Sequence, residues 1–140
     1  LCRDTSQRTY PASGSDTPFH SASHHQQKAK SIEDLAKINR FHILTLTHFL
    51  EKLKNTPYGD GNLLDHSLVM YGSPMGDSNT HTHKRVPFLL LGHANGTVKG
   101  NLHLKCAEGT PQANGLLTML HKLGVDDVDQ FGDSTGTIAI

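Results

Sequence analysis

The chain has 140 residues, with 13 basic and 13 acidic side chains that cancel, and only 35% of its residues are hydrophobic. Neither sign of charge forms a block, which argues against a nucleic-acid or anionic-membrane footprint, and no apolar run approaches the ~20 residues of a membrane-spanning helix. Histidine is the outlier, at 11 residues, nearly as many as the carboxylates together.

The sequence opens at Leu1 without a methionine or a signal peptide and reads as the C-terminal portion of a larger α/β protein; residues 1–140 are expected to form one unit. Residues 1–16 lack periodicity and read as an irregular entry segment. Thr17-Pro18 has the form of an N-cap followed by a first-turn proline, so a helical turn carrying His20-Ser-Ala-Ser-His24-His25 is expected there. Ser31-Ile-Glu-Asp34 resembles a capping box, and Leu35, Ile38, His42, Leu46, Phe49 and Leu53 recur at helical steps until Thr56-Pro57 stops the helix near Lys54-Asn55.

Tyr58 to Asn62 reads as a loop. Leu68 to Tyr71 and Val86 to Leu91 are short, nearly continuous apolar runs, the form of strands covered on both faces, and they suggest a parallel core. Gly92 to Gly100 is rich in turn residues, and Leu102 to Leu104 could be a short strand. Thr110-Pro111 repeats the cap-plus-proline start and leads to a helix through Leu116, Leu117, Leu120 and Leu123 that Gly124 closes. The order of helices and strands fits an α/β layer fold. Cys2 and Cys106 lack any CxxC spacing, which excludes a thiolate zinc knuckle and favours two free thiols.

Two segments carry ligand chemistry. On a helix His20 and His24 lie one turn apart on one face, near enough for both imidazoles to bind one metal ion, whereas His25 points about 100° away. The second segment is the loop after the Leu68 to Tyr71 run, with Asp77, Asn79, His81 and His83. If this loop is extended, Asn79, His81 and His83 project to one side beside the Asp77 carboxylate, a nitrogen and oxygen set suited to zinc, iron or manganese. Jointly the segments supply six ligands, His20, His24, His25, Asp77, His81 and His83, enough for a dinuclear hydrolytic centre. The competing reading of the loop is a polar Asx-type turn with exposed histidines. His42, His48 and His121 lie on helices and have structural readings. No serine sits in a G-x-S-x-G elbow.

Several stretches resemble the HXXSHH family of unknown function, typical of planctomycetes and related environmental bacteria. They are Ser6-Gln-Arg-Thr-Tyr-Pro11, His20-Ser-Ala-Ser-His24-His25, Ala36-Lys-Ile-Asn39, Gly59-Asp-Gly61, Leu64-Asp-His-Ser67, Tyr71-Gly-Ser-Pro-Met-Gly-Asp77 and Phe131-Gly-Asp-Ser-Thr-Gly136. The resemblance implies an exported protein of the periplasm or cell envelope, distantly similar to the alkaline phosphatase and sulfatase superfamily. It also implies that superfamily's layered fold, a mostly parallel sheet flanked by helices. In that frame His20 and His24 take the place of an Asp-x-x-x-His ligand pair, and the Asp77 to His83 loop takes the place of later ligands. Two departures separate this chain from that superfamily's pattern: a histidine stands for the first aspartate, and Ser73-Pro-Met-Gly76 stands where Ser-Asp-His-Gly is usual.

Two functions compete. One is a metal-dependent hydrolase of phosphate or sulfate esters, using a divalent ion, zinc first. The other is a non-catalytic exported protein with a structural metal, used in cell-surface assembly or ligand binding.

Overall fold

The long helix dominates the secondary structure of a computed structural model that describes residues 7–140. Among the described residues three α-helices form, α1 (Phe19–Ser23), α2 (Ala29–Lys54) and α3 (Gln112–Lys122), with strands β1 (Pro57–Tyr58), β2 (Gly61–Asn62), β3 (Val69–Gly72) and β4 (Phe88–Leu91). Of the described residues, those up to Glu51 together with Pro74–Arg85 make one compact unit, and Lys52–Ser73 together with Val86–Ile140 make a second.

In the first unit, α2 begins two residues before the capping-box-like serine, because the chain enters it from a tight turn closed by the Lys28 N–H on the His25 carbonyl at 2.8 Å. Asp34 caps nothing. It is only 3% exposed and accepts the Thr17 hydroxyl at 2.8 Å and the Lys30 ammonium at 2.6 Å, tying the entry segment to the helix. Thr17 is thereby drawn away from the N-cap of α1, a place Pro18 takes. Ile38 is fully buried. Tyr10 packs edge-on against His42 at 4.7 Å and against Phe19 at 6.5 Å, and Phe41 lies 6.0 Å away. His42 is thus part of an aromatic cluster, and burial holds its imidazole below the ordinary histidine range. The helix ends at Lys54 as its sequence predicts, with Lys52 and Lys54 in the last turn, where cations suit the helix dipole.

In the second unit, Tyr58–Gly61 is a tight hairpin rather than a plain loop: β1 and β2 pair antiparallel across Gly59-Asp60, and Gly59 supplies the positive φ of 57° at the first loop position. Helix α3 turns Ala113, Asn114, Gly115, Leu117 and Thr118 inward, and the C-terminal segment bonds to it through Thr135 N–H to Asn114 Oδ1 (2.9 Å) and Ile138 N–H to Thr118 Oγ1 (2.8 Å). Gly124, at φ 82°, closes α3 with its N–H on the His121 carbonyl, as expected.

The expected layered α/β fold with a mostly parallel sheet does not form. Both sheets have two strands, and both are antiparallel; β3 meets β4 in the register Val69↔Leu91 to Gly72↔Phe88. A parallel pair needs a crossover of a dozen or more residues, usually helical, and the residues between β3 and β4 hold only turns and an isolated bridge. Nor are the strands covered on both faces, since Met70 is 44% and Leu89 42% exposed. Leu102 to Leu104 is not a strand; both leucines are exposed. Cys106 is a free, exposed thiol, and Cys2 lies outside the described residues.

Candidate metal centre

Helix α1 is a single turn, stopped because His24 leaves helical geometry at φ −90° and ψ 55°. Its N–H still reaches the His20 carbonyl at 3.3 Å, so the i, i+4 relation survives. The two imidazoles meet edge to face with centroids 4.6 Å apart. The chain then makes a turn through Gln26 and Gln27, both left-handed at φ 48° and 60°, before α2 begins.

The loop Pro74–Arg85 belongs to the same unit. It is a turn rather than an extended segment. Asp77 and Thr82 form an isolated antiparallel bridge, with Gly76 N–H on the Thr82 carbonyl (2.9 Å) and Thr82 N–H on the Asp77 carbonyl (3.1 Å). Gly76 has no substitute here, since a Cβ would collide with the Lys84 carbonyl oxygen. Asp77 Oδ1 accepts the Asn79 N–H and Oδ2 the Thr80 hydroxyl, both at 2.9 Å, an Asx turn. The Thr80 and Asn79 hydrogen bonds hold its carboxyl below the ordinary carboxylate range.

His81 sits at φ 54°, and its ring lies edge to face on His24 with centroids 4.7 Å apart. His20, His24 and His81 therefore stack in series, with His24 in the middle. Two imidazoles on one tetrahedral zinc, with Zn–N near 2.0–2.1 Å, have ring centres roughly 5 Å apart, so the spacing is close to what a shared ion requires. Among the described residues, however, no three His, Cys, Asp or Glu side chains are arranged to hold a metal ion.

Of the other expected ligands, His25 and His83 each have one ring nitrogen engaged within the fold, and Asp77 is held in its Asx turn. His25 Nδ1 accepts the Gln27 N–H at 3.2 Å, and His83 Nδ1–H donates to the Pro74 carbonyl at 2.8 Å. Asn79 Oδ1 accepts the Gln26 N–H at 2.7 Å. The Ser78 hydroxyl donates to the Ser23 carbonyl at 3.0 Å. The period-two spacing singles out Asn79 as a neighbour of His81 and His83, whereas no spacing rule singles out Ser78, a turn former next to a histidine-bearing stretch.

The remaining histidines outside this unit have structural roles where partners are seen. His66 Nδ1–H donates to Asn95 Oδ1 (2.6 Å), His93 Nδ1–H to the Val98 carbonyl (3.2 Å) and His121 Nε2–H to the Val128 carbonyl (2.8 Å). Among the described residues no helix is long and apolar enough to cross a membrane. No family model, curated protein or solved structure matches the chain.

Proposed function

We propose that the first unit binds a divalent transition-metal ion, zinc foremost, through the imidazoles of His20, His24 and His81. The proposed activity is metal-dependent hydrolysis of phosphate or sulfate esters outside the cytoplasm. The observation that carries the reading is the edge-to-face contact of the His81 ring with His24, itself in contact with His20, which brings together imidazoles from two distant segments. A set of three neutral nitrogen donors suits zinc and copper better than magnesium or calcium, and it leaves an open fourth position, as catalytic zinc sites do. A metal held there supplies Lewis acidity toward an ester oxygen. The resemblance to the HXXSHH family, carried by His20 to His25, supports export and the ester class.

The second reading, a structural metal in a non-catalytic envelope protein, is favoured by one observation. The oxygen groups beside the cluster are engaged in the fold: Asp77 in its Asx turn, the Ser23 hydroxyl on the His20 carbonyl and the Ser78 hydroxyl on the Ser23 carbonyl. Elemental analysis of the natively purified protein and of its His24→Ala variant tests metal binding. The expected result is metal in the first and little in the second; equal content in both would remove His24 from the site. Activity of the metal-loaded protein on a panel of phosphate and sulfate esters then separates the two readings.

A further inference from the structure

We infer that Asn79 and Ser78 are positioning residues that latch the histidine-bearing loop onto the α1–α2 connection; the inference rests on the metal-binding reading above. Two hydrogen bonds form the latch, Gln26 N–H to Asn79 Oδ1 at 2.7 Å and Ser78 Oγ–H to the Ser23 carbonyl at 3.0 Å. They grip the chain on either side of His24, the imidazole against which His81 packs. Both are made by residues three and two positions before His81, so the loop is registered next to the ring that it delivers.

The receiving turn needs such a partner. Gln26 and Gln27 are consecutive non-glycine residues in left-handed conformation, at φ 48° and 60°, and His81 is a third at 54°. Each conformation is unfavourable for a residue with a Cβ, and such residues persist when surrounding contacts over-determine them. Asn79 does this for Gln26, and the His25 imidazole accepts the next N–H, that of Gln27, at 3.2 Å. The turn's N–H groups are thereby satisfied by side chains from two segments.

Partners that orient ligands in this way typically change metal affinity about 10- to 100-fold when removed. The test is Zn2+ affinity by competition titration for Asn79→Ala, Asn79→Asp and Ser78→Ala, each alone and combined with His81→Ala. Asn79→Ala and Ser78→Ala are expected to weaken Zn2+ binding about tenfold or more. Asn79→Asp, which keeps the acceptor, is expected to restore most of it. In the His81→Ala background Asn79→Ala should add no further loss. An equal loss in both backgrounds, or no rescue by Asp, would overturn the positioning role. Should the parent protein bind no Zn2+, the metal reading fails, and the latch is then judged by NMR contacts between the His24 and His81 rings. Their loss in Asn79→Ala upholds the latch; their persistence sinks it.

Discussion

The His24 ring lies between those of His20 and His81, 4.6 Å from one and 4.7 Å from the other, so one residue joins a local pair to a distant loop. Its central place sets the order in which substitutions matter. His24→Ala removes both ring contacts and is expected to lower Zn2+ affinity more than His25→Ala or His83→Ala. In those last two positions the Nδ1 atom is engaged with Gln27 N–H or the Pro74 carbonyl. A titration series across the three variants checks this, and a His25→Ala loss as large as that of His24→Ala would require a different ligand set.

Strain at His81 makes stability and binding separable. At φ 54° a Cβ is unfavourable and glycine is not. His81→Gly is expected to be more stable than His81→Ala by about 1 kcal/mol, while both lose the ring and bind metal equally poorly. Urea denaturation alongside the titration gives the two readouts. If the glycine variant were the less stable, the left-handed assignment at 81 would be wrong.

Acid should weaken the first unit through Asp34. The Lys30 ammonium, first, and then the Thr17 hydroxyl hold its carboxyl below the ordinary range. A depressed carboxyl contributes stability that is complete above the unfolded value, about 3.9, and fades as pH falls through the folded one. Asp34→Asn is therefore expected to be less stable at pH 7 and to lose less on acidification below about pH 4. Melting curves from pH 7 to pH 2 show whether the two stabilities converge. Parallel curves would mean that Asp34 does not report the tie. Lys30 is mostly exposed, so added salt should narrow the difference at pH 7.

The second unit depends on a close approach of α3 to β4. A Cβ on Gly115 would lie 2.9 Å from Phe88 Cζ and 3.0 Å from Cε1. Gly115→Ala overpacks this contact and is expected to cost about 1–3 kcal/mol, with part of the loss recovered by Phe88→Leu. Double-mutant denaturation measures the coupling; additive effects would show that the contact is not responsible.

Much of the helical structure was legible, because periodicity and punctuation are local. Pro57 stops α2 and Gly124 closes α3 where the sequence signals place those ends. The starts were less so, since Thr17 and Asp34, which look like capping residues, bond to each other across the unit instead. The strand pairing is hidden from the sequence for a similar reason: apolar runs specify extended chain but not the direction of the neighbour, and exposed Met70 and Leu89 show that the runs are not covered on both faces. For the site, the His20–His24 spacing pointed to one face of a turn, and the rings do meet there. The loop was legible only in its residue types. Its residue types allow either an extended segment or an Asx turn, and the turn, through Asp77, Asn79 and Thr80, is what forms.

The sequence by itself determined the helices, where α2 and α3 stop, and the concentration of histidine in two segments, because these follow from spacing along the chain. Tertiary structure decided that β3 and β4 run antiparallel and that His81, rather than His25 or His83, meets His24. The reason lies in hydrogen bonds between distant residues. Asn79 and Ser78 reach Gln26 and Ser23 across the unit, and such bonds fix the position of a loop whose own sequence permits several.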